Sequence, residues 1–254
     1  MADDSNQLEG LWALVTGSSS GIGRAIAQEL ADARAAVIVH GFQKREATEQ
    51  FVASLVRQRT QARAVLCDLS SAEGCDELVE SAWQIAPIDI WINNAGADVL
   101  TGVAVEGSFT EKLQRLWEVD VAATLHLSRA VGARMKERGS GVILNMGWDQ
   151  AETGMAGDSG EMFATVKGAI MAFSRSLAKS LAPEVRVNCL APGWIKTSWA
   201  ENASDYWQER AVGESLLARW GTPADVAQAA RYLASPQASF ITGQVFCING
   251  GQQR

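Results

Sequence analysis

An α/β fold with a parallel sheet covered by helices on both faces is predicted by three features of the 254-residue sequence. Short apolar, β-branched runs recur seven times, helical patterns separate them, and a glycine-rich turn follows the first. Strands joined through helices run parallel, and right-handed crossovers distribute those helices over both faces. The expectation is one doubly wound domain spanning residues 1–254. In such sheets ligands bind outside the carboxyl ends of the strands, so the residues just after each run carry the most information.

In chain order the runs are LWALVTG, AAVIVHG, ARAVLCD, IDIWINN, GVILNMG, VRVNCLA and GQVFCING. The first opens into TGSSSGIGRAIAQEL, where Gly17, Gly21 and Gly23 form a GxxxGxG turn leading into an apolar-periodic helix. Glycines let the backbone approach a pyrophosphate, and a helix N-terminus supplies amides and partial positive charge. The second run ends in VIVHGFQKR, with no carboxylate at the strand end. The fourth passes into NNAG, the fifth into GWDQ and the sixth into PGWIKT. Between the fifth and sixth lies GEMFATVKGAI, in which Phe163 and Lys167 stand four residues apart and share one helix face.

With 47% hydrophobic and 20% charged residues, the chain has ample material for a core and none of the composition of a disordered protein. A net charge of −7 opposes broad attraction to nucleic acid or anionic membranes. The start, MADDSNQLEG, is acidic and polar where a secretory signal is basic and then apolar. No apolar run approaches the roughly 20 residues of a membrane span. Cys67, Cys75, Cys189 and Cys247 form no CxxC pair and have no histidine nearby to complete a zinc site. Buried thiols in a cytoplasmic chain, with no metal, are therefore expected.

Through TGSSSGIG, CDLS, NNAG, RVNCLAPGWIKT and the tail GTPADVAQAARYLASPQASFITGQVFCINGG, the sequence resembles the short-chain dehydrogenase/reductase family over residues 8–251. Within that family it looks most like 3-oxoacyl-carrier-protein and similar ketone reductases. The resemblance implies a Rossmann-type seven-stranded sheet, a nicotinamide cofactor and an oxidoreductase acting on a carbonyl or alcohol. It also implies a homotetramer built by pairing the helices around residues 110–136 and 161–181 and packing the C-terminal strand. It places Thr16, Gly17, Ser19, Ser20, Gly21, Ile22 and Gly23 beneath the phosphates, and Asp68 and Leu69 at the adenine. Asn93, Asn94, Ala95 and Gly96 fall on the adenosine side, and Pro192, Gly193, Ile195 and Thr197 at the nicotinamide end.

Where an NAD-specific member would carry Asp or Glu for the ribose 2′-hydroxyl, this chain has Gly41 and its neighbours. His40, Lys44 and Arg45 offer donor or positive groups instead, so NADP is expected, with NAD as the alternative. The glycine turn lacks the basic residue that many NADP-binding members carry.

The family works with a Tyr that moves the proton, a Lys that lowers its pKa and holds the nicotinamide ribose, a Ser on the substrate carbonyl and an Asn that anchors a water. Lys167 matches. Phe163 falls at the Tyr position, Trp148 at the Ser position if two residues are inserted before Phe163, and Asp120 at the Asn position. A positioned acid is worth about 10² to 10⁴ in rate, and neither Phe nor an indole N–H is an acid near neutral pH. Carbonyl reduction then needs another donor. The candidates are Tyr206, in the segment that forms the family's substrate lid, and Asp149, in an acidic stretch with Glu152, Asp158 and Glu161. Ser159 lies close by in sequence, Tyr232 is expected far from the site, and His126 is expected to be structural.

Nine tryptophans against two tyrosines is an unusual balance. Trp148, Trp194, Trp199 and Trp207 map to the substrate side, predicting an aromatic-walled pocket for an apolar or partly aromatic small molecule. Two functional readings remain open: a reductase with a substituted proton donor, and a cofactor-binding pseudoenzyme acting as a regulatory or structural subunit.

Overall fold

The computed structural model describes residues 7–201 and 203–251. Its strands are β1 (Trp12–Val15), β2 (Ala36–Gly41), β3 (Ala62–Leu66), β4 (Ile90–Asn93), β5 (Gly141–Met146), β6 (Val185–Pro192) and β7 (Val245–Ile248). They form one sheet in the order β3-β2-β1-β4-β5-β6-β7. Every pairing is parallel. All seven predicted runs are strands, and the inner ones are apolar on both sides: Val37, Ile38 and Val39 are all fully buried in β2.

The helices fall on two sides. α1 (Gly21–Asp32), α2 (Arg45–Arg57) and α9 (Pro223–Ala234) cover one face, with Ile26, Leu30, Phe51, Leu55, Val226 and Leu233 in a common core. On the other face lie α3 (Ala72–Ile85), α5 (Ala123–Arg138) and α6 (Asp158–Leu181), around Leu78, Trp91, Leu127, Met135, Ile143 and Leu177. Ahead of α5, α4 (Phe109–Leu116) runs into it through a π-helical turn at Trp117–Ala122. Such turns interrupt regular helices, often at functional sites; this one carries Asp120. α7 (Ser198–Glu201) and α8 (Asp205–Glu214) follow β6 beyond the strand ends.

The strand order reverses between β1 and β4, which opens a crevice at their carboxyl ends. That crevice is stitched together by polar groups. The Thr16 hydroxyl accepts the backbone N–H of Asn94 and of Ala95, each at 2.9 Å, and the Asn94 amide donates back to the Thr16 carbonyl at 3.0 Å. Beneath it, the Asn93 amide donates to Ser128 and Asn145, each at 2.8 Å, and Asn145 donates to Ser174 at 2.9 Å. This buried network joins β4 and β5 to α5 and α6. Gly17 sits at φ +62° with its α-carbon against Ala95, where a Cβ would come within 2.8 Å. A Cβ on Gly23 would meet the Gly17 carbonyl at 2.5 Å, so the turn and α1 pack backbone to backbone.

Three of the four cysteines are buried as expected; Cys247 is exposed on β7, which has no neighbouring strand on its outer side. Among the described residues no helix is long and apolar enough to cross a membrane.

His40, at the end of β2, fastens the glycine turn. Its Nδ1 accepts the Gly17 N–H at 3.0 Å, which leaves Nε2–H to donate to the Cys67 carbonyl at 3.2 Å. Burial pushes its pKa from 6.5 down to about 4. The unfolded chain therefore binds more protons than the folded one between those values, so this group's contribution to stability is whole above 6.5 and is lost as pH falls through about 4. Urea denaturation across that range should show stability of the wild type falling on acidification more steeply than that of His40→Gln, which cannot charge. Parallel profiles would contradict the assignment.

Candidate active site

Two concavities lie beyond the strand ends. The first is a groove of about 680 Å³ lined by Gly17, Ser19, Ser20, His40, Asp68, Leu69, Asn94, Ala95 and Gly96, together with Lys44, Asp98, Arg115 and others. The second is a pocket of about 440 Å³ lined by Ile22, Trp148, Ser159, Phe163, Lys167, Pro192, Gly193, Trp194, Ile195, Thr197, Trp207, Trp220 and neighbours. They meet at the N-terminus of α1, where Ser20 lines one and Ile22 the other. Of the residues expected at a cofactor, Thr16, Gly21, Gly23 and Asn93 line neither space. Thr16, Gly23 and Asn93 instead hold the walls in place, through the contacts described above.

The groove fits a dinucleotide. Ser20 caps α1 without a side-chain hydrogen bond to its first turn, so its hydroxyl does not occupy the amides that open the helix. Asp68 is anchored by the Ser70 N–H at 3.0 Å. His40, expected as a donor or positive group, is kept neutral by burial, and both its ring nitrogens are engaged within the protein. Arg45 pairs with Glu49 one turn along α2 at 3.2 Å, as an exposed helix-surface residue. Lys44 does line the groove. Arg115, which the sequence did not single out, joins it from α4; a lone arginine in an amphipathic helix carries no motif that would have marked it.

Lys167 and Phe163 project from α6 into the pocket, as their four-residue spacing requires. The Lys167 ammonium pairs with Asp120 Oδ2 at 2.8 Å, and the two side chains are only 12% and 2% exposed. Asp120 Oδ1 accepts the Ala97 N–H at 2.8 Å. A Cβ on Gly96 would lie 2.9 Å from the same carboxylate, so only glycine allows the groove wall to come this close. The ion pair thus spans the junction of groove and pocket.

The Trp148 ring meets Phe163 edge-on, with centroids 6.3 Å apart. Trp194 stacks obliquely on Trp207 at 5.4 Å and meets Trp220 at 6.2 Å. Trp194 donates to Glu214 at 2.7 Å, and Glu214 in turn holds Arg210 at 2.6 Å. Trp220 and Met155 were not foreseen as walls. The side chain of Trp199 lies outside the described residues.

The expected substitute donors do not reach the pocket surface. Tyr206 is 62% exposed and rests against Trp207, and it is not among the lining residues. Asp149 is buried, its Oδ1 accepting the Gln150 N–H and its Oδ2 accepting the Asn249 amide at 3.0 Å. Burial pushes its carboxyl up from 3.8 to about 6. It stands behind Gly193, on which a Cβ would come within 3.0 Å of Oδ2. Glu152 is paired with Arg175 on the surface. His126 pairs with Asp76 on the outside of α5, and Tyr232 is exposed on the outer side of α9. Among the lining residues Lys167 is the single ionisable side chain, and Ser159 and Thr197 are the hydroxyls.

Residues 17–253 match the family model described as Enoyl-(Acyl carrier protein) reductase. A 3-oxoacyl-[acyl-carrier-protein] reductase of Synechocystis is 33% identical over 243 residues, covering 94% of this chain and 95% of that protein. A 7α-hydroxysteroid dehydrogenase solved with NADH and 7-oxo glycochenodeoxycholic acid superposes with a TM-score of 0.89 at 30% identity, covering 99% of this chain and 98% of that one. A blue fluorescent protein from a metagenomic library, solved with NADPH, gives a TM-score of 0.86 at 30% identity over 96% of this chain and 98% of that one. With the sheet order, the glycine turn and these matches together, the chain belongs to the short-chain dehydrogenase/reductase family.

Proposed function

We propose that this chain binds NADP(H) and is an oxidoreductase acting on a small, apolar or partly aromatic substrate in the tryptophan-walled pocket. One observation carries the reading: the dinucleotide-sized groove and the aromatic pocket meet at the buried Lys167–Asp120 pair. Bound there, the cofactor supplies two electrons and a hydrogen as hydride. The chain's own residues do the rest. The amides of Gly17 to Gly23 receive the phosphates, Asp68 accepts from the adenine, and Lys167 holds the nicotinamide ribose. Lys44, just beyond the carboxyl end of β2, and Arg115 both line the groove, and no carboxylate closes that strand, which favours a 2′-phosphate over a bare 2′-hydroxyl. Asp98 shares the groove, but its carboxylate is engaged by the Leu100 and Thr101 amides at 3.0 Å.

The site is atypical for carbonyl reduction because Phe163 and Trp148 stand where a phenol and a hydroxyl are expected. Asp120 adds to this. An asparagine there would leave the Lys167 charge free to lower a phenol's pKa, whereas the carboxylate neutralises it. Assembly as a homotetramer is proposed on the same family reading. Phe109, Trp117 and Phe240 are exposed in the single chain and supply apolar surface near the elements that would pair. Light scattering should report four chains; a monomer at micromolar concentration would contradict this.

NADPH at a hundred times its Kd should stabilise the fold by about 2.7 kcal/mol. A thermal melt unmoved by NADPH and by NADH would refute cofactor binding. Turnover of simple ketones or 3-oxoesters should be weak in the wild type and little improved by Phe163→Tyr alone. Adding Trp148→Ser and Asp120→Asn should raise it by about 10² or more, since a positioned acid supplies 10² to 10⁴. Wild-type rates matching those of the triple variant would show that another acid serves. An inert triple variant that still binds NADPH would favour the pseudoenzyme reading.

A further inference from the structure

The pocket combines three properties that a ketone does not need together. Its lining holds no acid, its lysine is paired with a carboxylate, and five aromatic side chains are among its walls. A ketone that accepts hydride becomes an alkoxide and must be given a proton in the same event. An iminium ion carries its positive charge before hydride arrives. Its carbon gains the hydrogen with two electrons from the dihydronicotinamide, the C=N π pair retires to nitrogen as a lone pair, and a neutral tertiary amine leaves beside the oxidised cofactor. Atoms, electrons and charge balance with no proton transferred.

The surroundings suit such a cation. Beside the pocket Lys167 pairs with Asp120 and Arg210 with Glu214. Asp149 stands behind Gly193 with amide partners, which places a further carboxyl group against that wall. The aromatic walls attract cations through their faces. Arg210 already uses this, its guanidinium carbon lying 5.6 Å from the Trp194 centroid and 5.2 Å from that of Trp207. Trp148 and Phe163 line the same pocket as Lys167, their rings in edge-on contact.

We propose that the pocket takes a cationic C=N⁺ substrate, an apolar or aromatic iminium ion reduced to an amine, in place of a ketone. The proposal rests on the cofactor reading above, and the test separates the two. N-methyl dihydroisoquinolinium and its neutral isostere tetralone are compared as substrates by NADPH oxidation. Separately, the saturated N,N-dimethyl tetrahydroisoquinolinium is titrated against cofactor-free protein, with tetralin as the neutral control, by quenching of tryptophan fluorescence. The iminium should be reduced with a kcat/KM at least about 100-fold above the ketone, matching the lower end of what a missing acid costs. The quaternary ammonium should quench where tetralin does not, and Asp120→Asn, which keeps the Ala97 contact but frees the Lys167 charge, should weaken that quenching about tenfold.

A protein that binds NADPH but prefers the ketone, or that binds ammonium and tetralin alike, would overturn the cationic-substrate proposal and leave the cofactor reading standing. A protein that binds neither NADPH nor NADH would overturn the cofactor reading and the reduction with it, while the ammonium titration would still decide whether the pocket selects a cation.

Discussion

The Asp120–Lys167 ion pair is the joint on which the two halves of this site turn. It ties the π-helical turn before α5 to the middle of α6, and through the Ala97 N–H it holds the loop that follows β4. Both partners are largely buried, so removing either would leave an uncompensated charge, a loss of about 3 to 5 kcal/mol in comparable pairs. The pair also decides the chemistry. A lysine in this position could act as a free positive charge on a neighbouring group, but with a carboxylate at 2.8 Å it becomes mainly a donor of hydrogen bonds. The groove and the pocket therefore meet at a point that is polar but electrically balanced.

Around that joint the architecture separates binding from chemistry. The binding half is conventional in its physics: a helix N-terminus, glycines that let backbone approach backbone, and strand ends pinned by Thr16, Asn94 and His40. The chemical half lacks what acid catalysis requires. Phe163 packs against the apolar cluster of Val99, Leu116, Val166 and Ile170, and Trp148 closes over it. The walls are mainly aromatic and aliphatic, with Ser159 and Thr197 as the hydroxyls.

The sheet was legible in the sequence because the inner strands are buried on both faces and read as apolar runs, while the edge strands β3 and β7 have fewer buried residues but keep the β-branched pattern. Phe163 and Lys167 were legible for a related reason: helical periodicity fixes which side chains share a face. Three-dimensional packing decided what the sequence could not. His40 looked like a cationic handle, yet β2 buries it under the glycine turn, where it serves as a neutral acceptor and donor. Asn93 looked like a groove residue, but strand alternation turns it inward to Asn145 and Ser128. Asp149 and Tyr206 come close to the pocket without lining it, one behind Gly193 and the other against Trp207 with most of its side chain in solvent. Arg115 and Trp220 reach the cavities from α4 and from the segment before α9, and no local pattern announces such long-range arrivals.

In the site as proposed, aromatic rings and a carboxylate-paired lysine face the reacting centre, with no acid at hand. A crystal structure of the NADPH complex tests this most directly. The nicotinamide C4 is expected to face the Trp148 and Phe163 rings, with Lys167 Nζ shared between Asp120 and the ribose and no carboxyl or phenol in contact with the substrate space. A complex in which Asp149 or Tyr206 swings within hydrogen-bonding reach of that space would contradict it.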